Sequence, residues 1–294
     1  MKLIDFYNQA VRFGRAADPR KNKRKIISFS DSAILFGKPA VEVNKIMVGI
    51  DIEVAELMLA ERIREKEGLD LVIAHHPEGR AYAGLHEVMR LQVDLLRQAG
   101  LAYKTAAKLL EERMQEVERR ILPQNHTRPV DAARLLNMPF MNMHTPADNH
   151  VHRFLNGLFK RKATTPRFVG DIVEILKTIP EYQIADKFNT GPRLILGNLK
   201  RPAGKILIEM TGGTEGPKDV FGRLYKAGVR TLVSMHLSEE YLKKVKEANL
   251  NVVIAGHISS DTLGLNLLLD NVERAAKQKF QVISCSGFNR IRRG

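Results

Sequence analysis

The sequence predicts an α/β protein built on a largely parallel sheet. Two observations carry that prediction. Short apolar runs alternate with amphipathic stretches along the 294 residues, the pattern of strands joined by crossover helices. The content is 44% hydrophobic and 27% charged, that of a globular chain long enough for one large domain or two modest ones.

Taken in order, Leu3–Arg15 reads as an amphipathic helix, followed by a basic, helix-poor stretch at Pro19–Lys25. Ile34–Gly37 and Lys45–Ile52 read as strands, and Val54–Lys66 has its apolar residues at helical spacing. Asp70–His75 is a short strand of the fully buried type. Leu85–Gln98, the strongly charged Ala106–Ile121, and Pro129–Leu136 read as helices, the last with proline suited to its first turn. Strand Phe140–His144 precedes helix Asp148–Lys160, and Gly170–Thr178 is helical. Strands Arg193–Gly197 and Lys205–Met210 lead through the turn Gly212–Pro217 to a helix at Lys218–Ala227. The alternation ends with strand Thr231–Met235, helix Glu239–Ala248, strand Val252–Ala255, helix Ser260–Lys277 and strand Gln281–Cys285.

Cys285 is the sole cysteine. An internal disulfide and a thiolate metal cluster are therefore excluded, and a reducing, cytoplasmic setting is expected. The start lacks the apolar core of a signal peptide, and no apolar run approaches the roughly 20 residues of a membrane helix. Secreted, membrane-spanning, collagen-like and disordered classes are set aside. The net charge of +14 favours an anionic partner, either a small molecule or nucleic acid. Basic clusters at Arg20–Arg24, Lys160–Lys162 and Arg290–Arg293 fit a solvated surface, and aromatic residues do not interleave with them as in single-strand binders.

Five of the nine histidines stand at or just after an expected strand end: His75, His76, His144, His236 and His257. Ligands collect at carboxyl strand ends in such folds. His75-His76-Pro77 places two imidazoles at one turn, an arrangement suited to two neighbouring metal ions. His144-Thr145-Pro146-Ala147-Asp148 brings a carboxylate, whose ordinary role there is a helix N-cap. Gly256-His257-Ile258-Ser259-Ser260-Asp261 puts His257 and Asp261 on one face if the helix starts early; Ser259 or Ser260 would otherwise cap it. Jointly, such nitrogen and oxygen donors suit zinc, iron or manganese. His150 and His152 read as helix surface. The turn Gly212–Gly216 offers backbone N–H groups to an anion, but it lacks the Lys-Ser/Thr of a phosphate loop.

These landmarks, with Asp31–Pro39 and Val43–Asp51, occur in one order over about residues 30 to 285. In that order they resemble the NIF-three-like family of dinuclear-metal proteins, the GTP cyclohydrolase I type-two homologues. The resemblance implies two similar α/β lobes around a central cleft, here residues 1–160 with inserted helices at about 103–137, and residues 161–294. It implies two divalent metal ions held by His75, His76, Asp148, His257 and Asp261, and a homo-oligomer, often of six subunits. It suggests hydrolysis of a phosphorylated or nucleotide-like molecule by a metal-bridged hydroxide. Asp261 stands where the family usually carries glutamate, Met235-His236 replace a family glutamate, and the family's N-terminal tryptophan is absent. His236 and Glu215 are the candidates for proton transfer. A metal-binding or regulatory protein without catalysis, or a basic nucleic-acid binder, are the alternative readings.

Overall fold

A computed structural model describes residues 1–293. The chain runs through α1 (Leu3–Ala17), β1 (Ser32–Phe36), β2 (Lys45–Gly49), α2 (Val54–Glu67) and β3 (Leu71–Ala74). Then come α3 (Gly79–Ala83), α4 (Leu85–Val88), α5 (Leu91–Ala99), the long α6 (Tyr103–Ile121) and α7 (Arg128–Leu135). β4 (Phe140–Met143), α8 (Thr145–Lys160), α9 (Val169–Lys177), α10 (Pro180–Lys187), β5 (Arg193–Leu196) and β6 (Lys205–Glu209) follow. The last part holds α11 (Phe221–Lys226), β7 (Val229–Ser234), α12 (Glu239–Glu247), β8 (Asn251–Ile254), α13 (His257–Ala276) and β9 (Gln281–Ser284).

The strands form two sheets, ordered β1-β4-β3-β2-β9 and β5-β8-β7-β6. The second repeats the first four places of the first. In each, an antiparallel edge strand, β1 or β5, precedes three parallel strands. The expected similarity of the two lobes is thus visible in their topology. The sequence division at residue 160 misses one return. β9 pairs parallel with β2, Lys45 opposite Gln281, so residues 281–284 lie in the first sheet and not with the second lobe.

Strand alternation sorts side chains between opposite faces. Ile46, Val48, Leu71, Ile73, Met141 and Met143 enter one core, with Phe6 of α1 and Leu265, Leu268 and Leu269 of α13. Met47, Val72, Ala74 and Phe140 enter the other, under Leu57 of α2 and Ala133 of α7. In the second sheet Val233 and Val253 face α8 and α9, while Leu232 and Val252 face α11 and α12. Helices α8 and α13 supply residues to cores of both sheets, so they are the layer the lobes share. Each such buried aliphatic contributes about 1.5–3 kcal/mol.

Local chemistry explains where elements differ from expectation. The helix expected over Leu85–Gln98 is broken into α4 and α5, and α3 and α10 were not foreseen. Pro180 in the first turn of α10 supplies the start signal. Helix α6 is amphipathic at helical period. Its Leu110, Met114, Val117 and Ile121 pack with Phe29, Val88 and Met89, so this segment carries its own small core.

Candidate metal centre

The carboxyl ends of β3, β4, β7 and β8 converge. His75 and His76 follow β3, His144 follows β4, His236 comes two residues after β7, and His257 opens α13 after β8. The His75 and His144 rings lie 5.0 Å apart, His76 and His257 5.1 Å, and His236 and His257 4.8 Å.

The adjacent imidazoles reach one site because the chain turns as β3 ends. The N–H groups of His75 and His76 both donate to the carbonyl of Ile50, at 3.1 and 3.0 Å. The carboxylates come from helices. α8 starts at Thr145, so Asp148 follows His144 by one turn and is not the N-cap. α13 starts at His257, so Asp261 shares its face. Gly256 makes that early start, with φ of +108°, a conformation L side chains rarely adopt. Ser260 Oγ donates back to the Gly256 carbonyl and caps nothing.

The polar atoms stand at ligand spacing. His75 Nε2 is 3.3 Å from Asp148 Oδ1 and 3.4 Å from Asp261 Oδ1. Asp261 Oδ2 is 3.4 Å from His76 Nε2 and 3.5 Å from His257 Nε2. His144 Nε2 is 3.8 Å from Asp148 Oδ2. Two donors each about 2.0–2.1 Å from a tetrahedral ion are about 3.3–3.4 Å apart. His75 Nε2, Asp148 Oδ1 and both oxygens of Asp261 are buried without a hydrogen-bond partner. Buried polar atoms are rarely left so, and a cation is what this donor set lacks. Three groups of atoms are close enough to hold an ion: His75, Asp148 and Asp261; His76, His257 and Asp261; and His75, His76 and His144.

Three imidazoles are oriented from behind. His75 Nδ1 lies 3.1 Å from the carbonyl of Met143, His76 Nδ1 2.6 Å from Asp51 Oδ1, and His144 Nδ1 2.8 Å from Asp31 Oδ2. An Nδ1–H donated to each acceptor leaves Nε2 as the lone pair facing the carboxylates, the usual outer support of a metal-ligating histidine. Asp31 is buried and also accepts from Thr145 Oγ1 at 2.6 Å.

Electrostatics shows the same demand for positive charge. Burial disfavours protonated His75, but the Asp261 and Asp148 carboxylates outweigh it and push it up to about 10. His76 is pushed up to about 9, burial again being outweighed by the Asp261 and Asp51 carboxylates. Burial opposes the Asp261 carboxylate, yet the surrounding imidazoles hold it well below the usual range.

Of the residues expected at the site, His75, His76, Asp148, His257 and Asp261 come together. His236 borders it, its ring against His257 and its Nδ1 3.7 Å from Glu215 Oε1. That interaction with Glu215, against the cost of burial, raises His236. Glu215 also accepts from Ser238 N at 2.7 Å at the head of α12. The glycine turn is held by its carbonyls. Gln92 Nε2 donates to Gly212 and Thr214, Arg113 Nε to Glu215, and Tyr241 to Gly216. Gln92 and Arg113 sit on α5 and α6, so α5 and the inserted α6 clamp this turn against the cleft. His144, Asp31 and Asp51 were not assigned roles from sequence. The signal for His144 was a spacing: a histidine at a strand end with aspartate four residues later occurs twice, at 144/148 and 257/261.

His150 and His152 are buried in α8 rather than on its surface. His150 Nδ1 lies 2.7 Å from the Pro146 carbonyl, and Asn271 Nδ2 lies 3.1 Å from its Nε2, which satisfies a neutral ring. Burial lowers both histidines to about 4. In the unfolded chain they bind protons near 6.5. Between those values the unfolded state holds more protons, so stability is full above about pH 6.5 and falls as pH drops toward 4. Denaturant midpoints across this window will fall by the equivalent of a few kcal/mol. His150→Gln with His152→Gln will flatten the slope.

The two carboxylate-bearing helices touch at a glycine. A Cβ on Gly264 would lie 2.6 Å from the Ala147 carbonyl. Gly264→Ala forces α8 and α13 apart and separates Asp148 from Asp261. The expected cost is about 1–3 kcal/mol of stability, with weakened metal uptake read by titration of the folded variant.

In front of His76, His144 and His257 opens a cleft of about 450 Å³, within the range of small-molecule sites. Among the described residues no helix is long and apolar enough to cross a membrane.

No family model and no curated protein matches the chain. Solved structures do. A NIF3 superfamily protein from Sphaerobacter thermophilus is 28% identical, with a TM-score of 0.77, over 95% of this chain and 98% of that one. Reduced HcgD from Methanocaldococcus jannaschii is 14% identical, with a TM-score of 0.57, over 97% of each chain. TTHA1606 from Thermus thermophilus is 14% identical, with a TM-score of 0.52, also over 97% of each. The last two bear on the fold alone.

Proposed function

We propose that this chain, NIF3-like in fold and in its 28% identity to a superfamily member, binds two divalent transition-metal ions and hydrolyses a phosphorylated or nucleotide-like small molecule. The observation that carries this reading is the set of buried, unpartnered donor atoms on His75, Asp148 and Asp261 at ligand spacing. One ion would be held by His75, His144, Asp148 and Asp261, the other by His76, His257 and Asp261. Zinc, iron and manganese all suit such donors. When bound, the ions supply Lewis-acid polarisation of a scissile bond and activation of water.

The chain's own part is orientation and proton handling. Met143 O, Asp51 and Asp31 fix the faces of His75, His76 and His144. His236 lines the cleft and is the group placed to hold a proton, with Glu215 behind its Nδ1. The net charge of +14 favours an anionic substrate. Self-association into a ring of six subunits and a cytoplasmic setting belong to the same proposal.

The test is elemental analysis of purified protein, followed by a screen of phosphorylated and cyclic substrates with the loaded protein. About two equivalents per subunit, falling sharply in His257→Ala, with metal-dependent turnover, is the expected result. Metal without turnover leaves a binding or regulatory protein. No uptake on adding zinc, manganese or iron removes the proposal.

A further inference from the structure

The cleft has a second feature that the histidines do not explain. Asn125 and Arg128 line it, from the connection between α6 and α7 and the first residue of α7. This connection is a fixed wall. Gly79 N donates to the His126 carbonyl at 2.9 Å, and the Tyr82 hydroxyl donates to Gln124 Oε1 at 3.1 Å. Asn125 Oδ1 already accepts from the N–H and hydroxyl of Thr127, at 3.2 and 3.1 Å. That assignment leaves its Nδ2 hydrogens as the end to offer a ligand. Arg128 forms no ion pair and no side-chain hydrogen bond among the described residues. Among the described residues lining the cleft, Arg128 is the one arginine or lysine.

We propose that Asn125 and Arg128 form an oxyanion subsite, which selects ligands carrying a phosphate or carboxylate remote from the group presented to the histidines. The placement of the far group rests on the metal-binding reading above. A guanidinium fork beside an amide donor suits the paired oxygens of either anion. Asn125, held at its Oδ1 by Thr127, loses little order on binding. Glu53 lines the same cleft, so an anion is admitted at Arg128 and repelled beside Glu53. The cleft thus discriminates by where a ligand carries its charge. This gives the α6–α7 insertion a role in ligand choice.

The experiment is calorimetric titration of zinc-loaded protein with alkane bisphosphonates of graded length, against the matching monophosphonates. At one length the bisphosphonate will bind about tenfold or more tighter. Arg128→Met will erase that advantage while leaving zinc content and monophosphonate affinity unchanged. Arg128→Lys will keep part of it, since it retains the charge but not the fork. The matching dicarboxylates tell which oxyanion is preferred. An advantage at no length, or one that survives Arg128→Met, overturns the subsite. Zinc content is read on the same samples. If zinc is not taken up, the metal reading fails by itself. The subsite is then tested on unloaded protein, where a monophosphonate affinity unmoved by Arg128→Met overturns it.

Discussion

Asp261→Asn will abolish binding at both proposed metal positions, whereas Asp148→Asn will abolish it at one. Asp261 is the carboxylate that reaches both proposed ligand sets, Oδ1 toward His75 and Oδ2 toward His76 and His257. Asp148 faces only His75 and His144. The amide has nearly the shape of the carboxylate but neither its charge nor two acceptor oxygens. Zinc bound per subunit is expected to drop from about two to well below one in Asp261→Asn, and to about one in Asp148→Asn. A circular-dichroism spectrum unchanged from wild type separates ligand loss from unfolding. Equal losses in the two variants would falsify the shared role of Asp261. The shorter aspartate in the family's glutamate position already reaches both sets of imidazoles here.

The largest stability effect is expected far from the metals. Arg290 is buried, with Nη2 2.6 Å from Asp270 Oδ1 and 2.9 Å from Glu273 Oε2, and Nη1 3.2 Å from Asn266 Oδ1. All three charged side chains are less than a tenth exposed. Arg290→Ala leaves two carboxylates on α13 in a poorly solvated place with the central partner gone. Removing one member of such a buried set costs about 3–5 kcal/mol. The guanidinium-chloride midpoint should move down accordingly with little change in slope. Arg290→Ala combined with Asp270→Asn should recover part of the loss, because one orphaned charge is then absent. A midpoint shift under about 1 kcal/mol would mean that solvent reaches the cluster.

The alternation of elements is legible because each strand is a short run rich in apolar residues and most helices repeat at their own period. Pairing order is not. Nothing local to Gln281–Ser284 says that it will lie beside Lys45–Gly49 rather than β6. The choice depends on how α13 crosses between the sheets. Five site residues were legible through their place at strand ends and through a family resemblance. His144 stands at a strand end but is outside the ligand set the resemblance implies, which takes only Asp148 from that element. The structure starts α8 at Thr145, which removes the capping role. His150 and His152 were misplaced because the face of α8 that meets α13 carries polar residues. His150 Nε2 finds its partner, Asn271, only in the tertiary fold. Asp31 and Asp51 were invisible for a related reason: each acts on a histidine far along the chain.

The pairing of β9 with β2 also bears on how the chain emerges during translation. β2 is made about 230 residues before β9, its outer hydrogen-bonding partner. At about 5–20 residues per second, that edge waits on the order of tens of seconds with its N–H and C=O groups open to other strands. The charged residues at the start of the strand, Lys45 and the nearby Glu42, are the kind of guard that discourages such encounters. Closure of the first sheet is therefore a late event, and a ribosome-stalled chain ending before Gln281 would present a sheet edge that the finished protein never shows.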